Sequence, residues 1–432
     1  VKAWIVTLML IIPRWVLSEE VIAAENATTF HVQATSVTQG HYSFPSPYQG
    51  TNSLVPTEDA QTSITTTFFS GLLLGSFGEI YFNPELSAGS GISKTLGIAG
   101  YPNGEIYRVD NPNPVWNLAR LYLKKVFNFG GGQEKIEDAK NQVATTYDIN
   151  RLSVTIGKFA LNDFIDNNSL SHDPRTQFLN WALMDYGAWD YAADTRGYSL
   201  GFALEWNQKD WTLRFASVLE AQSANQLSLD MNIGHAHGDN LEYEYRYNYH
   251  DQPGVMRVLV YDNHAYMGNY QQALSSGNPP NILSVRQYSE KYGFGFGLEQ
   301  KFSTDLGFFS RLSWNDGKTE SWAFTEIDQS VTAGVSWNPR IWQKYSDTLG
   351  GALILNDLSG PHRNYLSAGG YGFIIGDGQL NYSSEKILET YYLIHFSKEA
   401  TITIDYQFIV SPAYNSDRGP VSIFAARLHY EI

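Results

Sequence analysis

The chain has no cysteine among its 432 residues, which removes disulfide frameworks and thiolate metal sites at the outset. It also lacks a basic surplus, since 29 Lys and Arg face 44 Asp and Glu for a formal charge of -15. Nucleic-acid partners need a basic footprint, so that class is excluded. Beyond the first 24 residues no run of roughly 18 uninterrupted apolar residues occurs, so helical spans are excluded as well. If this chain crosses a membrane, it crosses with strands.

Aromatic residues are what the chain has in quantity: 14% of the total, with 28 Tyr, 23 Phe and 11 Trp. Amphipathic rings in that number suit the two interfacial girdles of a membrane barrel. They also suit the core or glycan-binding face of a secreted all-β protein. Residues 1–24 read as a signal peptide, with Lys2 in a charged n-region, an apolar stretch from Ala3 to Ile12, and small residues at Ala23 and Ala24. Residues 25–432 are then one domain.

From residue 30 onward the dominant period is two. Leu241, Tyr243, Tyr245, Tyr247 and Tyr249 alternate with Glu242, Glu244, Arg246 and Asn248. In Tyr292–Leu298 aromatics alternate with glycines, and in Thr401–Phe408 Ile and aromatic residues alternate with Thr, Asp and Gln. Soluble sandwiches alternate too. Here, however, the apolar face is aromatic in nearly every strand, and the polar face carries arginines such as Arg151, Arg257 and Arg427. That combination predicts a lipid-facing band around a water-filled lumen. Strands are expected near 30–40, 61–75, 78–87, 116–128, 148–159, 196–207, 210–221, 240–249, 254–262, 290–301, 305–315, 329–337, 348–356, 386–397, 400–410 and 421–432. Connections alternate between short turns, as at Asn207–Asp210 and His250–Gly254, and long ones, as at 88–114, 160–195 and 357–385. The fold class is therefore all-β: a transmembrane antiparallel β-barrel of about 16 strands, with short periplasmic turns and long extracellular loops. Tyr243, Phe294, Leu298, Phe408 and Leu428 should face lipid, and Arg246, Asp405 and Arg427 the lumen.

The long connections carry recognisable blocks. Among them are Gln39-Gly-His-Tyr-Ser-Phe-Pro-Ser-Pro-Tyr-Gln-Gly-Thr-Asn-Ser-Leu54, Gly97-Ile-Ala-Gly-Tyr-Pro-Asn-Gly-Glu105, Asp163-Phe-Ile-Asp-Asn-Asn168, His172-Asp-Pro-Arg-Thr-Gln-Phe178 and Ala413-Tyr-Asn-Ser-Asp-Arg-Gly-Pro420. Together they resemble the OprB family of carbohydrate-selective porins over nearly all of the chain after the leader. The resemblance implies a 16-stranded barrel in the outer membrane of a Gram-negative bacterium, embedded in outer-membrane lipid and passing carbohydrate solutes by facilitated diffusion. It implies no enzymatic turnover, no cofactor and no resident metal, and a monomer or homotrimer. Family eyelets combine arginine, glutamate and tryptophan, and the matching segment places Glu105 among them. At the expected arginine position this chain has Ser90, Ser93 and Lys94, which leaves Lys94 and Arg108 as alternative substitutes.

A sugar in a pore needs hydrogen-bonding groups for its hydroxyls and a ring for its C–H faces. The candidate constriction residues are accordingly Glu105, Arg108, Trp116, Arg120, Asp173, Arg175, Trp181 and Trp189, the last four on a 160–195 loop expected to fold inward. Asp166, Asn167 and Asn168 read as turn chemistry. His235, His237 and Asp239 have the look of a metal motif, but no other His-rich ligand set accompanies them. Two other functions remain open at this point. One is a porin for other small solutes, such as cations or aromatic acids, and the other is a secreted glycan-binding β-protein.

Overall fold

A computed structural model describes residues 28–106, 112–339 and 347–432. The signal segment 1–24 and Arg108 lie outside the described residues. In chain order the strands are β1 (Thr28–His41), β2 (Gln61–Leu73), β3 (Glu79–Gly89), β4 (Val115–Asn128), β5 (Gln133–Ile136), β6 (Thr145–Asp148), β7 (Arg151–Phe159), β8 (Ser199–Asn207) and β9 (Trp211–Leu219). There follow β10 (His237–Tyr249), β11 (Gln252–Gly268), β12 (Arg286–Lys301), β13 (Leu306–Asn315), β14 (Gln329–Trp337), β15 (Thr348–Asp357), β16 (Glu385–His395), β17 (Ala400–Val410) and β18 (Val421–Glu431). All except β5 and β6 join one closed antiparallel barrel, sealed by β1 against β18. Closure gives every wall strand two partners, so no sheet edge is left open. A two-sheet sandwich is thereby excluded.

The alternating pattern decides which way each side chain points. Tyr243, Phe294 and Leu428 are exposed on the outer face, with half-buried Leu298 and Phe408 on the same side. Asp405 and Arg427 point inward and are buried, and Arg246 pairs inside with Glu244 at 2.6 Å. The alternating glycines of β12 acquire a reason here. A Cβ on Gly295 would meet the Tyr186 ring at 2.7 Å and one on Gly297 the Tyr186 hydroxyl at 2.8 Å, so glycine at both makes room for that inbound side chain.

Three features depart from the sequence expectation. β11 was expected to stop near 262 but runs to Gly268, because its ladder with β12 continues through His264↔Glu290 to Gly268↔Arg286. The connection between β4 and β7 is not a bare turn but folds as the β5–β6 hairpin. Finally, the interior is not the open aqueous channel that 16 strands permit. Long loops fold inward and fill most of it, so that Arg311, Arg427, Glu389 and Glu299 are buried.

Candidate functional site

The segment between β7 and β8 enters the barrel as a chain of small, self-capped turns. Asp163 accepts from the Ala160 N–H at 3.1 Å. Asn168 accepts from the N–H groups of Leu170 and Ser171 at 2.9 and 3.1 Å, and Asn180 caps the helical turn Trp181–Met184 through the Ala182 N–H at 3.0 Å. Asp166 has φ +55°, a left-handed turn conformation that Asp tolerates, and it also forms an ion pair with Arg311 at 2.8 Å. The turn reading of Asp166 and Asn168 therefore holds, with a second role added for Asp166.

Wall charges from β10 to β18 then satisfy the backbone of this segment, which packs where it has no water to bond. The Glu242 carboxylate accepts from Asp166 N–H at 2.8 Å, Glu299 from Ser169 N–H at 2.9 Å, and Glu389 from Asn180 N–H at 3.1 Å. Arginines take the carbonyls. Arg257 donates to Asn167 at 2.7 Å, Arg311 to Leu183 at 3.1 Å, and Arg427 to Pro174 and Gln177 at 2.6 and 2.7 Å. Further along, the Asp190 carboxylate receives three successive N–H groups, from Trp322, Ala323 and Phe324, and faces Lys291 at 3.3 Å. Burial works against the His172 cation, but the carboxylate of Asp185 at 3.5 Å outweighs it and lifts the imidazole to about 9. Burial raises the Asp166 carboxyl to about 7 despite Arg311.

Opposite this packed half, a cavity of about 300 Å³ stays open. Its wall residues come from β1 to β4 alone, namely Gln33, Thr65, Phe69, Glu85 and Arg120, and the inbound loops supply the rest. Charges here pair side chain to side chain. Arg175 Nε lies 3.1 Å from Glu105, and its other nitrogens lie 3.9 Å from Glu85 and 4.0 Å from Asp173. The Thr65 hydroxyl donates to Glu105. Arg120 forms a two-pronged pair with Asp163, at 2.7 Å through Nε, and its guanidinium lies 5.3 Å from the Tyr198 ring centroid. Burial pushes the Glu105 carboxyl up, opposed by Arg175 and Thr65. Burial also acts to raise Asp173, but Arg175 and Lys140 overcome it and hold that carboxyl down to about 2. Rings complete the lining: Trp181 stacks on Phe324 at 5.7 Å, and Phe324 in turn packs against Tyr191 at 4.7 Å.

Five of the sequence candidates, Glu105, Arg120, Asp173, Arg175 and Trp181, therefore meet around one cavity. Two others do not. Trp116 stands on the outer face, 59% exposed and stacked on Phe68. The cause is a β-bulge opposite Asn83 and Pro84, which inserts Ala119 and lets Asn117 and Arg120 both turn inward while Trp116 turns out. Trp189 is fully buried on the packed side, its indole N–H bonded to Asn240 at 2.9 Å. Lys94 is exposed outside the cavity, so the arginine beside Glu105 is Arg175. Residues that sequence reasoning missed are Glu85, Asp163 and Tyr198, plus Lys140 and Asn141 of the β5–β6 hairpin. Asp163 lay within a quoted block, but nothing in a sequence shows that Arg120 would come to it. A possible metal cluster, Asp262, His264 and Glu290, has ligand atoms within 4.8 Å of one another. It sits on the outward side of β11 and β12, with His237 stacked on His264, and is remote from this cavity.

Comparison with known proteins agrees with this geometry. The profile described as "Carbohydrate-selective porin, OprB family" matches residues 52–431. Among solved structures, the high-pH structure of OprB from Pseudomonas putida superposes with a TM-score of 0.68 at 14% identity, covering 94% of each chain. An anion-selective porin from Comamonas acidovorans shares the fold with a TM-score of 0.52 at 8% identity, covering 94% of this chain and 99% of the other. No match was found among curated proteins.

Proposed function

Since the chain belongs to the OprB family of carbohydrate-selective porins, a channel family of the Gram-negative outer membrane rather than an enzyme family, we propose that its solutes cross at the cavity bounded by β1 to β4. Glu105, Arg175, Asp173, Arg120 and Asp163 are the polar side of the eyelet, and Trp181 with Tyr191 and Phe324 the ring side. The observation that carries this reading is the meeting of these charges and rings around the 300 Å³ cavity, while wall charges such as Glu242, Glu389 and Arg427 hold loop backbone elsewhere. A hydroxyl-rich solute donates to the carboxylates and accepts from the guanidinium forks, and its C–H faces rest on the rings. Because the charged groups are already paired with one another, a sugar exchanges one set of hydrogen bonds for another. Occupancy stays weak enough for exit, as a conducting pore requires.

The test is single-channel recording in a planar bilayer with a panel of sugars. Glu105→Gln keeps the shape and removes the charge, and should weaken sugar block of the ion current by about 1–3 kcal/mol. Wild-type block in this variant would move the eyelet elsewhere.

A further inference from the structure

The connection from β4 to β7 leaves from the same end of the barrel as the short turns, yet it spans 129–150 where the β10–β11 turn is only 250–251. Its hairpin does not hang away from the barrel. The tip, 137–143, turns back inside and bonds to the inner faces of three wall strands. On β1, His31 pairs with Asp138 at 3.2 Å and Gln33 accepts from Lys140 at 3.1 Å. On β3, Asn83 donates to Asn141 at 2.7 Å and the Tyr81 hydroxyl accepts from the Val143 N–H at 3.1 Å. On β18, Glu431 takes Lys140 at 2.7 Å. The tip is internally braced by a reciprocal pair of backbone bonds between Ala139 and Gln142, at 3.1 and 3.0 Å, and Asn141 has φ +56°, which asparagine adopts readily.

Lys140, Asn141 and Gln33 line the same cavity as Glu105 and Arg175, and the Lys140 charge is felt by Asp173 on the facing loop. Short turns of such barrels face the periplasm. We propose that the hairpin tip is a second solute-binding point, an exit ring below the eyelet that contacts neutral hydroxylated solutes as they leave toward the periplasm. This rests on reading the cavity as the pore. Lys140 has three N–H donors, of which two go to Gln33 and Glu431 among the described residues, and it lines the cavity, which leaves donor capacity for a passing hydroxyl. Its charge is balanced by Glu431 at 2.7 Å, so the tip offers hydrogen bonds to hydroxyls while adding little net charge to the path of ions. The eyelet and the exit ring are then two resistances in series.

The experiment compares wild type with two hairpin variants, and with Glu105→Gln at the eyelet, in planar bilayers. In one, 137–143 is replaced by a short Gly-Ser turn, and in the other Lys140 becomes Met. Removing one of two comparable series resistances should roughly double the conductance of the tip-replaced channel. Lys140→Met should weaken block by sugar added from the periplasmic side about tenfold, the lower end of a lost charged hydrogen bond, and shift the reversal potential toward cations. Heat-modifiable migration reports whether each barrel is closed, and Lys140→Met carries the test if the tip replacement does not fold. Wild-type conductance, sugar block and reversal potential in folded variants, with Glu105→Gln still altering block, would overturn the exit ring and leave the eyelet standing. Silence in all three variants would remove the eyelet reading as well.

Discussion

The two halves of this barrel are built from the same alternating strands, yet their inward charges do different work. On the β10–β18 side, Glu242, Glu299, Glu389, Arg311 and Arg427 hold loop backbone. On the β1–β4 side, Glu85 and Arg120 meet other side chains across open space. A charge bonded to backbone cannot be exchanged without unfolding a loop. One paired with another side chain at the edge of an open cavity can be lent to a solute. Rigidity on one side is what lets the other present a defined opening.

That contrast can be broken most strongly at paired positions. Arg311→Ala strands the buried Asp166 carboxylate and the Leu183 carbonyl, and should cost about 3–5 kcal/mol of thermal or denaturant stability. Arg175→Ala removes a guanidinium of the same charge from the open side. Its buried partners Glu105 and Glu85 keep hydroxyl donors in Thr65, Thr67 and Tyr198 and no loop carbonyl is stranded, so the loss should be smaller than for Arg311→Ala while conductance changes. Equal losses in the two variants would erase the distinction.

The tryptophans give a second pair. Trp189→Ala empties a fully buried site and should destabilise by about 3–5 kcal/mol, with unsteady currents as the loop loosens. Trp181→Ala should instead enlarge the conductance and lower sugar affinity together, since that ring lines the opening.

Acidity probes the loop without mutation. His172 titrates near 9 when folded and about 6.5 when unfolded, so its contribution is fully present below about 6.5 and is lost as pH rises through 9. Asp166, raised to about 7, acts in the same direction. Asp173, lowered to about 2, contributes above roughly 3.8 and loses that contribution as pH falls through 2. Asp166 loses its contribution between about 3.8 and 7 and His172 between about 6.5 and 9, so the packed loop is held best near pH 4 and current noise should grow as pH rises from 6 to 9. Flat noise from pH 6 to 10 would separate these groups from loop order. The smallest effect concerns selectivity. The carboxylates of Glu85, Glu105, Asp163, Asp173 and Asp194 around the opening are nearly matched by Arg120, Lys140, Arg175 and Arg196, so only the net charge of -15 should tilt reversal potentials, toward a modest cation preference that fades with salt.

The wall was legible because strand period and facing are local properties. Tyr243 and Glu244 declare their sides by alternation alone. The contents of the lumen were not legible for the same reason. A carboxylate that faces water and one that caps a loop N–H, as Glu389 does, occupy identical places in a period-2 pattern. Trp116 was misplaced because one inserted residue, Ala119, reverses the parity of everything before it. Glu105 and Arg175 could be nominated from their blocks, but their 3.1 Å pairing depends on two loops meeting across the lumen, and only the folded barrel brings them together.

β18 carries more than the seam. Its Arg427 holds the carbonyls of Pro174 and Gln177, on either side of Arg175, and its Glu431 holds Lys140 of the hairpin. Docking of β18 on β1 thus adds one anchor to the segment around the eyelet arginine and a third wall strand to the two that already hold the hairpin tip. The strand that seals the cylinder therefore also braces what lies inside it, so a change at the seam reaches both the eyelet loop and the hairpin.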